Sequence, residues 1–236
     1  MTKPEWSVLE HGPLQRLDDN LWEVEGAVPG FPMKRRMTVV RLPGGALVVH
    51  SAICLEAAAQ RELEAFGAVR YVVVPNGWHR LDAPRYAARY PDAKILCPEP
   101  AKKLVLKRTR VDGNPSLIPQ SEEFTAEPLA GSTIREHVLR MRSARGVTLV
   151  FNDTLFNLPK LPGFKGFLYG AIGSTGAPKV TPLMRLVAVS DKKALRAQLE
   201  KLADTPGLCR ILPGHGFAVE GEAECRSMLL TAAAGL

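Results

Sequence analysis

Three apolar runs in this chain each stop, within a few residues, at a side chain that can hold a metal ion. That repeated pattern constrains the fold. Residues 69–74 lead into Pro75-Asn76-Gly77-Trp78-His79, residues 146–151 into Asn152-Asp153, and residues 209–212 into Pro213-Gly214-His215-Gly216. Loops at strand ends are where a rigid scaffold presents reactive groups. Buried strands ending at a common place would bring His79, Asp153 and His215 together from distant parts of the sequence. Imidazole and carboxylate together suit zinc, iron or manganese. Gly214 and Gly216 would let the backbone bend sharply and carry His215 close to an ion.

The segments around these runs indicate the architecture. Residues 17–25 and 37–42 read as strands, and the second passes through the turn Pro43-Gly44-Gly45 into another strand at 46–50. The Gly/Pro-rich stretch 26–32 between the first two is a loop placed to overhang a cleft. Leu55, Ala58, Ala59, Leu63 and Phe66 recur at helical spacing, and Gly67 ends that helix. The run 69–74 predicts a strand buried on both faces. Residues 83–90 predict a short helix stopped by Pro91, and 94–97 a further strand. Strand and helix thus alternate over 46–97, which favours parallel pairing with helices packed outside.

In the second half, residues 136–142 alternate, with His137, Leu139 and Met141 on one face. A turn at 143–145 joins them to 146–151 as a β-hairpin. The proline- and glycine-rich stretch 157–182 predicts a long loop with one helical stretch, and its Phe164, Phe167 and Tyr169 could form an apolar lid. A helix over 191–202 has Ser190 or Asp191 as its cap. A short strand at 210–212 and a closing helix over 222–234 follow. Two β-rich halves, each with flanking helices, predict an α/β fold in which two sheets pack face to face.

At 236 residues, a single domain spanning 1–236 is expected, with ample length for a core. No apolar stretch approaches the roughly 18 residues of a membrane-spanning helix. The opening residues lack the apolar centre of a signal peptide, so cytoplasmic residence is expected. Cys54, Cys97, Cys209 and Cys225 form no Cys-x-x-Cys pair and are expected to be reduced structural thiols. Net charge is +7, part of it in Lys34-Arg35-Arg36 and in Lys102, Lys103, Lys107, Arg108 and Arg110. Aromatics do not interleave with these groups as a single-strand stacking platform needs. A solvated basic surface is therefore expected, with a small molecule rather than nucleic acid as partner. Neither a Gly-x-Ser-x-Gly elbow nor a phosphate-binding glycine loop is present.

The segment Thr148-Leu149-Val150-Phe151-Asn152-Asp153-Thr154-Leu155-Phe156 and the turn Pro213-Gly214-His215-Gly216 resemble two signature elements of the metallo-β-lactamase superfamily. The resemblance runs from about residue 17 to the C-terminus and implies a four-layer αβ/βα sandwich of two mixed sheets flanked by helices. In that superfamily the matching aspartate bridges two metals and the matching histidine binds the second. The family's main motif, His-x-His-x-Asp-His, should fall where Asn76-Gly77-Trp78-His79-Arg80-Leu81 stands, followed by Asp82. Its Gly-His-Thr histidine should fall near Ala130-Gly131-Ser132-Thr133, where Ser132 stands instead. Asn76–His79, with Leu21–Gly26, Lys34–Val40 and Asn152–Asn157, resembles an uncharacterised branch with an altered metal motif.

The expected metal set is accordingly His79, Asp153 and His215, with Asp82 as a fourth candidate. Each has a plainer reading: a turn histidine for His215, loop capping for Asp153, a helix-entry histidine for His79, and a helix N-cap for Asp82. His137 reads as a satisfied core histidine. One zinc, iron or manganese ion held this way, with an open position, would lower the pKa of bound water towards 7. Asp153 could then orient or deprotonate that water. The expectation is a metallo-β-lactamase-like fold with an eroded metal site, acting as a mononuclear metal-dependent hydrolase of an ester, amide or thioester. The alternative is a metal-free binding or scaffold protein that keeps the fold.

Overall fold

The computed structural model describes residues 4–159, 175–176 and 178–236. Most of the loop expected over 157–182, including Phe164, Phe167 and Tyr169, lies outside the described residues.

The apolar residues of the first half pair into one six-stranded sheet. Its strands are β1 (Gln15–Asp18), β2 (Leu21–Ala27), β3 (Lys34–Arg41), β4 (Ala46–His50), β5 (Ala68–Val73) and β6 (Lys94–Leu96), in that spatial order. The first four are antiparallel neighbours, while β4, β5 and β6 are parallel, as the strand–helix alternation demands. Helices α1 (Ala57–Phe66) and α2 (Ala83–Arg89) supply the crossovers. Gly67 stops α1 for a reason of space: a Cβ there would collide with the Gly45 carbonyl oxygen. A short α3 (Lys102–Val105) follows β6.

The second sheet holds five strands in the order β13-β11-β9-β8-β7. These are β7 (Phe124–Pro128), β8 (His137–Ser143), β9 (Gly146–Val150), β11 (Leu208–Leu212) and β13 (Val219–Glu220). Two-residue strands β10 (Phe156–Asn157) and β12 (His215–Gly216) pair in parallel beside it. Helices α4 (Pro182–Val187), α5 (Lys192–Ala203) and α6 (Glu222–Ala234) complete this half. Asp191 caps α5 by accepting from the amides of Lys193 and Ala194.

Three apolar layers fix the sandwich. Val39, Leu47 and Val72 of the first sheet pack with Leu63 of α1 and Tyr86 of α2. Leu149 and Ile211 of the second sheet pack with Leu199 of α5 and Leu229 of α6. Between the sheets lie Val40, Val48, Leu139, Met141 and Leu212. At about 25 cal/mol per Å² of apolar area, these layers are the main stabilising term. Arg210, 1% exposed, ties the sheets at their margins by pairing with Asp18 of β1 at 2.7 Å and Glu220 of β13 at 2.9 Å.

Several expectations change. The single strand expected at 17–25 is broken at Asp19-Asn20, whose polar side chains favour a turn. Strand β3 starts at Lys34, because Arg35 and Arg36 are buried and ion-paired rather than solvated. The run 69–74 is buried on both faces only in its second half, since Arg70 is exposed. Strand β7 was not anticipated; it is an edge strand ending in Pro128, which masks its signal. The four cysteines are free thiols, and burial pushes Cys54 up to about 12. No helix among the described residues is long and apolar enough to cross a membrane.

Candidate metal centre

The ends of β5, β9 and β11 do share one rim, and the loops beyond them meet. His79 Nε2 lies 3.1 Å from Asp153 Oδ1, and His215 Nε2 lies 3.2 Å from the same oxygen. The two imidazole nitrogens are 3.3 Å apart. Zinc–nitrogen and zinc–oxygen bonds of about 2.0–2.2 Å in a tetrahedron give edges of roughly 3.3–3.6 Å. The observed triangle is slightly tighter than one face of such a tetrahedron.

The surrounding bonds orient the donors. His215 Nδ1 is 2.7 Å from the Lys34 carbonyl oxygen, which can only accept, so Nδ1 carries the hydrogen. In the neutral ring, Nε2 then presents its lone pair to Asp153 and His79. His79 Nδ1 lies 3.0 Å from the Ser51 hydroxyl, an equivalent support. Ser51 occupies the left-handed region at φ 57°, the kind of backbone outlier that clusters at functional sites. Asn76 donates from Nδ2 to Asp153 Oδ2 at 2.7 Å, leaving Oδ1 for the histidines. A carboxylate oxygen and two imidazole nitrogens this close are held together either by protons on the rings or by a shared cation, and two imidazoles with one carboxylate are a donor set that zinc, iron or manganese takes. These residues therefore fit a metal ion.

Two buried devices hold the loops. Both oxygens of Glu136, a fully buried residue, accept from the amides of Asn152, Asp153 and Thr154 at 2.9–3.2 Å, fixing the Asp153 turn. Burial, then the Asp153 charge, raises the Glu136 carboxyl to about 7 against the pull of those amides. Burial alone would raise Asp153 too, but positive charge on His79 and the bond from His215 outweigh it. Its carboxyl is held well below the usual range. Arg36 grips the other loop, donating to the carbonyls of Pro213 at 2.7 Å and Gly216 at 2.9 Å. It also pairs with Glu23 at 2.7 Å, without a hydrogen-bonding angle, and bonds to Glu25 at 2.9 Å. Gly216 takes φ +95°, as its expected role requires. Gly214 is needed instead for space, since a Cβ would come within 2.7 Å of Asn152 Oδ1.

Asp82 is not part of this cluster. One of its oxygens pairs with buried Arg35 and accepts from the Cys54 amide at 3.3 Å, and the other pairs with Arg85 at 3.1 Å. It occupies the N-cap position of α2 but makes no capping bond with its side chain. His137 is buried as expected, though its Nδ1 lacks a protein partner, and burial lowers it to about 4. Ser132 is likewise buried, and its hydroxyl has no hydrogen-bond partner among the described residues. Among the described residues, His79, Asp153 and His215 are the one group of three such side chains able to share an ion. Glu136, Arg36 and Ser51 escaped the sequence-based expectation; a glutamate at the start of the alternating stretch 136–142 was the available signal for the first.

The triad floors a cleft of about 540 Å³ walled by Val28, Met33, Phe156, Leu158 and Met184. Phe31 and Trp78, each more than half exposed, stand at its mouth, so the loop after β2 does overhang it. The Phe156 ring stacks on His215 with centroids 5.2 Å apart.

No family model matches the sequence, and neither does any curated protein. Solved structures do resemble the fold. The metallo-β-lactamase DIM-1, exposed to ceftazidime, superposes at TM-score 0.63 with 12% identity, over 97% of this chain and 99% of that one. The metallo-β-lactamase FIM-1 from Pseudomonas aeruginosa, in its mono-zinc form, gives 0.60 with 12% identity, over 95% and 96%. VMB-1 gives 0.58 with 14% identity, over 97% and 99%. Two mixed sheets face to face, helices on both outer sides and loops meeting at one rim are the metallo-β-lactamase fold, and this chain has it.

Proposed function

We propose that the protein is a mononuclear metal-dependent hydrolase of an ester, amide or thioester, with His79, Asp153 and His215 holding one zinc, iron or manganese ion. The observation that carries this is the convergence of Asp153 Oδ1 and two imidazole Nε2 atoms within 3.3 Å of one another. A similar structure in a mono-zinc form supports one ion as a workable number for this fold. When bound, the ion supplies Lewis acidity and a water activated near neutral pH.

The chain's own residues do the rest. Asn76 and Glu136 hold the carboxylate of Asp153 so that Oδ1 faces the reacting centre, unprotonated, and can orient a water there by accepting its hydrogen bond. Lys34 and Ser51 fix both imidazoles, removing the reorganisation that would otherwise oppose the reaction. The apolar walls exclude bulk water. Metal analysis of protein purified without chelator tests the reading. About one equivalent of zinc, iron or manganese, lost in His215→Ala, is expected from a three-ligand site with an open position. Metal-free protein whose stability ignores EDTA would instead mark a binding module that uses the cleft alone.

A further inference from the structure

Trp78, Arg80 and Leu81 line two cavities at once. On one side is the cleft above the triad; on the other is a pocket of about 490 Å³ bounded by Pro4, Pro84, Arg85, Lys107 and Arg108. The two differ sharply in chemistry. The cleft is walled mainly by apolar side chains, whereas the second pocket carries four cations and no acidic side chain. Arg85 is committed to Asp82 and to the Glu5 carbonyl. Among the described residues Arg80 donates only to the Leu104 carbonyl, and neither Lys107 nor Arg108 has a carboxylate partner.

The shared ridge is locally built. The Trp78 amide donates to Asn76 Oδ1 at 2.8 Å, and Gly77 packs so closely on Leu104 that a Cβ would meet it at 2.5 Å. The same Asn76 bonds Asp153, so ridge and triad are one unit.

From this juxtaposition we infer the substrate class: an acyl ester or thioester with an apolar acyl group in the cleft and a phosphate-bearing leaving group across the ridge, on Arg80, Lys107 and Arg108. This rests on the hydrolase reading for its chemistry. Water's oxygen bonds to the acyl carbon, the carbon–oxygen or carbon–sulfur bond breaks, and the departing alcohol or thiol gains a proton. Planar guanidinium groups match phosphate oxygens in pairs, and Arg80, Lys107 and Arg108 line one pocket wall where a single anionic group can meet them.

Binding tests the inference separately from turnover. Octyl phosphate, 1-octanol and inorganic phosphate are titrated into the full chain by calorimetry, as purified and after EDTA. Octyl phosphate should bind at least tenfold more tightly than either half-molecule in both preparations, as one charge-assisted hydrogen bond allows. K107A/R108A should weaken octyl phosphate about tenfold while leaving 1-octanol unchanged. Equal affinity for octyl phosphate and 1-octanol, binding abolished by EDTA, or indifference to K107A/R108A would overturn the proposal. So would sedimentation with phosphatidylglycerol vesicles without affinity for monomeric octyl phosphate, which would mark a membrane contact instead. Protein that is already metal-free when purified without chelator, yet binds octyl phosphate in this pattern, would defeat the hydrolase reading alone.

Discussion

Replacing Arg36 with methionine should unlatch the His215 loop, and the size of the effect follows from what the guanidinium touches. It is 4% exposed and meets two carboxylates, Glu23 and Glu25, and two turn carbonyls, Pro213 and Gly216. Glu25 is about one-third exposed, so its share is small. Glu23 is 5% exposed, and burial already raises its carboxyl. Removing one partner of such a buried pair costs about 3–5 kcal/mol, because the other is left charged in a low-dielectric site. Against a total stability of roughly 5–15 kcal/mol, the variant remains folded but weakened. Circular dichroism followed through urea should show the midpoint fall with an unchanged slope. Zinc affinity of the folded fraction should fall about 10–100-fold, as when other outer supports of a metal ligand are lost. Arg36→Lys should recover part of the stability, since an ammonium near Glu23 restores the charge but cannot span four oxygens. A loss below about 1 kcal/mol in Arg36→Met, with zinc affinity intact, would refute the latch.

Two further outcomes are expected. Asp82→Asn should leave metal content unchanged yet destabilise the chain by about 3 kcal/mol, because Arg35 loses its carboxylate in a buried site; loss of the metal would restore Asp82 to the ligand set. His137, lowered by burial from 6.5 to about 4, and His50, lowered by burial to about 3, are neutral in the folded state. The unfolded chain therefore binds more protons below 6.5. Their stabilisation is complete above that pH and is lost as pH falls towards 4, by roughly 3 kcal/mol for His137 alone. His137→Leu should flatten urea midpoints measured between pH 6.5 and 4, and an unchanged slope there would contradict the assignment.

Strand-and-helix alternation over 46–97 and the apolar runs ending at His79, Asp153 and His215 were legible because each is a local pattern. Period and punctuation carry them. What supports the site was not legible, because it depends on burial that only tertiary pairing creates. Lys34-Arg35-Arg36 looks like solvated charge until Glu23, Glu25 and Asp82 are seen beside it. Asp82 looks like a helix cap or a spare ligand until Arg35 claims it. Glu136 stands one residue before the alternating strand β8, and only its contact with the Asp153 turn, 17 positions away, reveals its role.

The pairing of Arg210 with both Asp18 and Glu220 joins the outermost strand of one sheet to the outermost strand of the other. A sandwich riveted at its margins cannot peel open from that side one leaf at a time. Separation there exposes a buried cation and the apolar seam together, which favours the two halves melting as one cooperative body.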